Sequence, residues 1–74
     1  MKKKLTNTLK IYRFMNDEMS QEELGRAVGL SRSSISMLEN GKRLPTLIQA
    51  YRLSKQLNTT IEELFFGKER LFSS

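Results

Sequence analysis

Apolar residues along the chain recur at intervals of three and four, which is the spacing of amphipathic helices. No stretch keeps the period-two alternation of a half-buried strand. Turn-forming residues interrupt the pattern at Gly29, Gly41, Pro45, Asn58 and Gly67. The pattern therefore predicts an all-α fold of five short helices in one domain over residues 1–74, with a helical core at 5–67 and a C-terminal tail at 68–74.

The first two helices are predicted from their apolar stripes and end signals. Helix one is expected at residues 6–16. The residues expected on its inner face are Leu5, Leu9, Tyr12 and either Phe14 or Met15. Ser20 and Glu23 have the spacing of a capping box that starts helix two, and Gly29 supplies the left-handed residue that ends it.

The remaining helices are expected at residues 32–40, 47–57 and 61–66. Ser31, Thr46 and Thr60 precede them as N-caps, and Thr60 forms a second capping box with Glu63. The residues expected on the inner face of helix four are Leu47, Ala50, Leu53 and Leu57. Helix five is predicted to be short and to end at Phe66.

The charge of the chain is basic and unevenly distributed. The net charge is +5, and residues 24–60 hold six basic residues against one acid, Glu39. Such a balance attracts polyanions, although an ordinary solvated basic surface has the same composition. Because the chain has no Cys and no His, no disulfide, metal centre, cofactor or catalytic constellation is expected, and we do not predict an enzyme. No apolar run is long enough to span a bilayer or to follow Lys2–Lys4 as a signal sequence, so a cytoplasmic location without membrane contact is expected.

Helices two and three are joined only by Gly29, Leu30 and Ser31. A connection this short, with Gly at its start, makes two helices cross steeply, as in a helix-turn-helix unit. Gly25 must be small because the third helix passes close to it. The residues that must point inward to hold this crossing are Leu24, Val28, Leu30, Ile35 and Leu38.

The segment SQEELGRAVGLSRSSISMLENGKRLP, residues 20–45, resembles the helix-turn-helix of the phage repressor and Cro family, also called the XRE family. The block from Leu47 to Phe65 resembles helices four and five of that family. The resemblance implies a five-helix lambda-repressor-like domain and a sequence-specific transcriptional regulator, expected to be a repressor, that binds an inverted repeat of double-stranded DNA as a homodimer. Gly25 stands where the family usually has Ala, and the link from Arg13 to Gln21 is one residue longer.

An alternative is an antitoxin or controller subunit that binds a partner protein and regulates its own operon, since such proteins often carry this domain. No small-molecule ligand is expected.

The resemblance places residues 31–40 in the major groove. The residues expected to contact DNA are Gln21, Ser31, Arg32, Ser33, Ser36, Met37, Asn40, Lys42 and Arg43. Arg32 is the candidate for bidentate bonds to guanine, and Met37 for contact with a thymine methyl. Gln21 is expected to bind a phosphate and to brace the first DNA-contacting residue of helix three. Asn40, Lys42 and Arg43 are expected to contact the phosphates on the opposite side of the groove. The alternative is that these are solvent-facing polar residues.

A candidate ion pair and the apolar end of the chain are predicted to have structural roles. The resemblance suggests an ion pair between Arg13 and Glu39 that ties helix one to helix three; a loose surface pair is the alternative. The end of the chain is unusually apolar, and the residues expected to form dimer contacts are Phe66, Leu71 and Phe72. The alternative is a core Phe65 followed by a frayed tail.

Overall fold

The computed structural model describes residues 7–72, with side chains described for residues 7–67. Over that range there are five helices and no strand: α1 (Leu9–Met15), α2 (Gln21–Val28), α3 (Arg32–Glu39), α4 (Leu47–Gln56) and α5 (Ile61–Phe72). The predicted all-α, five-helix fold is confirmed. No helix in the described part of the chain is long and apolar enough to cross a membrane.

The core consists of apolar side chains from all five helices. Its completely buried members are Leu9, Leu24, Ile35, Leu38, Leu53, Leu57 and Leu64. Burial of each such side chain stabilises the fold by about 1.5–3 kcal/mol. The most extensive helix contact is between α2 and α3, and α4 packs against both α2 and α5. The core therefore holds the helix-turn-helix unit against the C-terminal helices.

The turn between α2 and α3 has the predicted geometry. Gly29 adopts φ 79°, and the Leu30 N–H donates to the Gly25 carbonyl at 2.8 Å. A Cβ atom at position 25 would collide with the Leu30 carbonyl oxygen and lie 3.4 Å from Cγ1 of Ile35. The small residue at position 25 is therefore required in this arrangement.

Helix α1 is shorter than predicted, and the residues on its buried face are not all those that the sequence predicted. It starts at Leu9 because the Thr8 N–H donates to the Leu64 carbonyl at 2.9 Å and the Asn7 side chain donates to the Leu38 carbonyl at 2.8 Å. The prediction that Phe14 or Met15 points inward was wrong, since they are 50% and 69% exposed. The helical register instead places the buried Arg13 inward. Leu5 lies outside the described residues.

The link between α1 and α2 contains two consecutive residues with left-handed backbone, Asp17 (φ 61°) and Glu18 (φ 54°). Hydrogen bonds from Glu18 N–H to the Phe14 carbonyl and from Met19 N–H to the Arg13 carbonyl close this turn at 2.9 and 3.1 Å. The longer link is thus a tight, internally bonded turn.

Two predictions about the C-terminal helices were wrong. Leu47 does not line the core: it is the first residue of α4 and is 78% exposed, whereas Ala50, Leu53 and Leu57 are buried. Helix α5 does not end at Phe66 but continues to Phe72, so residues 68–72 are helical rather than a tail. Gly67 costs a helix only about 1 kcal/mol relative to Ala, which is too little to terminate it.

Candidate nucleic-acid interface

The two faces of α3 differ sharply. Ser31 caps the helix by accepting a hydrogen bond from the Ser34 N–H at 3.1 Å. Ile35 and Leu38 are buried against the rest of the domain. The residues left on the outer side are Arg32, Ser33 and Met37, which are exposed, and Ser36, which is half-buried. The outer face thus combines a cation, two hydroxyls and a flexible apolar side chain.

The outer face of α3 and the start of α2 form one concave surface. A cleft of about 420 Å³ is lined by Gln21, Arg32, Ser33, Ser36 and Met37. All five are among the residues that the sequence predicts to contact DNA. A second cleft of about 440 Å³ adjoins the start of α2, and Gln21 and Arg32 line this one as well. The structure therefore brings these predicted contacts together.

The N-terminus of α2 is built by the predicted capping box. The Glu23 N–H donates to Ser20 Oγ at 3.0 Å, and the Ser20 N–H donates to Glu23 Oε1 at 2.9 Å. Gln21 is the first helical residue, and a backbone N–H at that position has no acceptor within the helix. It is available to an anion, which the helix dipole also favours.

The Arg13 and Glu39 side chains form a buried, bidentate ion pair. Arg13 Nε donates to Glu39 Oε2 at 2.7 Å and Arg13 Nη2 donates to Glu39 Oε1 at 3.2 Å, with only 7% and 5% of the two side chains exposed. Arg13 Nη1 donates to the Met19 carbonyl at 2.7 Å. The Phe14 ring lies over the guanidinium, 4.9 Å from Arg13 Cζ. The pair joins α1, the α1–α2 link and the end of α3.

Gln21 has a side-chain partner that the sequence did not indicate. Its Nε2 donates to Glu39 Oε1 at 3.0 Å. The side chain therefore braces the last residue of α3, whereas the resemblance suggested a brace to the first. A carboxylate can accept several hydrogen bonds, so Glu39 serves Arg13 and Gln21 at the same time.

The segment after α3 presents the remaining predicted contacts. Asn40, Lys42 and Arg43 are exposed, and Gly41 turns the chain with φ 73°. Arg43 Nη1 folds back to donate to Ser34 Oγ at 3.1 Å. Sequence reasoning missed Ser34, although its spacing from the N-cap Ser31 is typical of a capping contact. Its hydroxyl holds Arg43 beside α3.

This arrangement suits a polyanion better than a small substrate. The backbone N–H of Gln21 lies at the start of α2, beside the exposed α3 face, and the exposed cations Lys42 and Arg43 lie in the segment after α3. No group of three or more acidic, His or Cys side chains in the described residues could hold a metal ion.

Comparisons with known proteins agree with this geometry. The helix-turn-helix family profile matches residues 15–64. A helix-turn-helix-type transcriptional regulator of Archaeoglobus fulgidus is 46% identical over 55 residues, 73% of this chain and 79% of that protein. The control protein C.MunI of a Mycoplasma species is 36% identical over 64 residues, 86% of each chain. The crystal structure of the restriction-modification controller protein C.AhdI from Aeromonas hydrophila superposes with a TM-score of 0.68 at 33% identity, covering 77% of this chain and 85% of that one.

The class of the protein follows from the fold, the interface and these matches. The chain belongs to the XRE-type helix-turn-helix family. It is a DNA-binding transcriptional regulator with a lambda-repressor-like fold, which is a non-enzymatic class. The resemblance described from the sequence is confirmed.

Proposed function

We propose that this regulator reads DNA sequence in the major groove with α3, acting as a homodimer on an inverted repeat. The observation that carries the proposal is the cleft in which Gln21, Arg32, Ser33, Ser36 and Met37 share one surface. In this class of domain, residues near the start of the second helix of the motif contact base edges. Arg32 is the first residue of α3 and is exposed.

The roles of the base-facing side chains follow from their chemistry. Arg32 offers paired donors for guanine O6 and N7, and the Met37 side chain offers apolar contact to a thymine methyl. The hydroxyls of Ser33 and Ser36 donate to bases or phosphates, whereas the Ser31 hydroxyl is engaged with Ser34 in the N-cap and would contact DNA only beside that bond. These contacts supply sequence preference.

Phosphate contacts on either side would fix the register of α3. The Gln21 backbone N–H binds one strand at the start of α2, and Asn40, Lys42 and Arg43 bind the other. Arg43 is already held beside α3 by Ser34, so less of its conformational freedom is lost on binding.

A homodimer is proposed because one short recognition helix offers few contacts, whereas specific sites are usually bound at about 10⁻⁸ M or tighter. Two copies would place their recognition helices about 34 Å apart on a two-fold site. Of the predicted dimer contacts, Phe66 is 48% exposed. The side chains of Leu71 and Phe72 lie outside the described residues.

A second candidate function is control of a restriction-modification operon. Two similar proteins, C.MunI and C.AhdI, are a control protein and a restriction-modification controller. Mapping the bound sites on genomic DNA separates the two candidates. A single site upstream of the regulator's own gene and a neighbouring nuclease or methyltransferase gene favours the controller, and scattered operators favour a broader regulator.

The test of the main proposal is selection of bound sites from a random DNA pool. We expect two inverted half-sites for the unaltered protein. Arg32→Ala should cost about 1–3 kcal/mol on the selected site and flatten the preference at one base pair per half-site. Arg52→Ala, an exposed cation outside the cleft, is the matched control and should leave the selected sequence unchanged. Equal losses for Arg32→Ala on selected and random DNA would contradict base reading.

A further inference from the structure

The outer face of α3 carries a sulfur atom among polar side chains. Met37 is 38% exposed and shares the lining of the cleft of about 420 Å³ with Gln21, Arg32, Ser33 and Ser36. Each of those four side chains carries a hydrogen-bond donor, and none of them is an acid. A thioether sulfur is only a weak acceptor, so Met37 competes little with DNA for these donors.

The methionines of the chain differ in exposure and position. The chain has four methionines and no cysteine, so oxidation at sulfur is confined to thioethers. Met19 packs against the core, whereas Met15 on α1 is 69% exposed and lines neither cleft at the interface. Of the three methionines whose side chains the structure describes, Met37 is the one that is both exposed and placed in the proposed DNA-reading cleft.

We propose that Met37 is an oxidation site through which a peroxide lowers the affinity of this regulator for its DNA site. This inference rests on the proposed reading of DNA by α3. The sulfur lone pair attacks one oxygen of hydrogen peroxide, so that an S–O bond forms and the O–O bond breaks. The leaving hydroxide takes the proton of the new S–OH group and departs as water. The sulfur loses two electrons, the peroxide gains them, and methionine sulfoxide is the product.

Oxidation changes what the side chain offers to DNA. The sulfoxide is polar, so it no longer provides the apolar contact proposed for a thymine methyl. Its oxygen also accepts hydrogen bonds. Ser33 lies one helical turn before Met37, and Arg32 shares the cleft, so both donors are drawn towards this oxygen and away from the bases. The loss therefore falls on sequence reading, while the proposed phosphate contacts of Lys42 and Arg43 are kept.

Binding to DNA should protect this site. In the proposed complex α3 lies in the major groove and Met37 faces the bases, so peroxide reaches its sulfur in the free protein only. Met15, on α1 and outside both clefts, stays accessible in the free and the bound protein. Oxidation would therefore prevent the free regulator from binding again, rather than remove it from an occupied site.

The test measures affinity for the selected DNA site by fluorescence anisotropy before and after limited treatment with hydrogen peroxide. The treated unaltered protein should bind roughly tenfold more weakly, the effect of losing about one base contact. Met15→Leu should lose as much on treatment. Met37→Leu, compared with its own untreated sample, should lose nothing. Met19 is present in all three proteins, so damage to the core would weaken treated Met37→Leu as well.

Peptide mass spectrometry provides a second measurement. An excess of the selected duplex should suppress sulfoxide formation at Met37 and leave it unchanged at Met15 in the same sample. Methionine sulfoxide reductases should restore the lost affinity. A treated Met37→Leu that weakens as much as the unaltered protein, or full affinity in protein whose Met37 is oxidised, would overturn this inference alone. An untreated protein that selects no DNA sequence would overturn the proposed DNA reading together with it.

Discussion

Removal of the Glu39 carboxylate provides a demanding test of how α3 is positioned. Arg13 is buried, and after Glu39→Leu its guanidinium would keep only the Met19 carbonyl as a hydrogen-bond acceptor among the contacts described above. Breaking a buried pair by removing one partner costs about 3–5 kcal/mol, since the remaining charge stays out of water without compensation. A 74-residue domain has a total stability of about 4–11 kcal/mol. The single variant should therefore lose between about a quarter and all of its free energy of unfolding, and its urea midpoint should fall accordingly.

The double variant Arg13→Met/Glu39→Leu should recover stability. Replacing both members of a buried pair by apolar residues of similar volume is often neutral or stabilising by about 1–4 kcal/mol. The double variant is thus expected to be more stable than either single variant, with a coupling of roughly 3 kcal/mol. It would still lack the carboxylate that holds the Gln21 side chain, so DNA affinity should fall even though the domain is folded.

Urea denaturation followed by far-UV circular dichroism measures the cycle. The exposed pair Glu22–Arg26, at 3.5 Å with both side chains more than two-thirds exposed, is the matched control and should show a coupling of about 0.5 kcal/mol or less. If the two single substitutions at Arg13 and Glu39 were additive, or if the double variant were as unstable as the worse single variant, the assignment of the pair as a buried brace would be refuted.

Two further predictions concern the helix-turn-helix unit and its phosphate contacts. Gly25→Ala should destabilise the domain by about 1–2 kcal/mol, because the strain of a Cβ against the turn backbone exceeds the gain in helix propensity. A Cβ at position 67 would lie 3.3 Å from Glu63 Oε1 and 4.0 Å from Thr8 Cγ2, both side-chain atoms, so Gly67→Ala should stabilise α5 by about 0.5–1 kcal/mol. Thermal unfolding of both variants decides, and a stabilising Gly25→Ala would show that the turn relaxes. Lys42→Ala should weaken binding on all sequences and lower the salt slope of log K by about one unit. Fluorescence anisotropy across a salt series, with Arg52→Ala as control, measures this, and an unchanged slope would remove Lys42 from the interface.

The features predicted correctly from the residues alone depend on residues close together in the chain, whereas the Arg13–Glu39 pair, whose partners are 26 residues apart, was predicted from the family resemblance. The capping box at Ser20, the N-cap Ser31 and the left-handed Gly29 are set by neighbours within four residues. The contact between Gln21 and Glu39 depends on the crossing of two helices, so no local pattern encodes it. Leu47 was misplaced because the pattern of α4 contains two apolar stripes, and only the packed structure shows which one faces the core.

The length of α5 was misjudged for a different reason. Glycine usually follows a helix end, but at Gly67 the chain keeps helical backbone because the burial of Leu64 and Phe65 holds this segment in place. The cost of one glycine is smaller than the gain from two buried side chains. Turn signals therefore compete with packing, and packing cannot be evaluated before the fold is known.

The two residues before α1 connect parts of the molecule that serve different tasks. The Asn7 side chain donates to the carbonyl of Leu38 in α3, and the Thr8 hydroxyl donates to the Glu63 carbonyl of α5 at 2.9 Å. A strain introduced at this point, by a fused tag or a proteolytic cut, would loosen the end of α3 and the start of α5 together. These two hydrogen bonds thus couple the position of α3 to that of α5, the helix that carries Phe66.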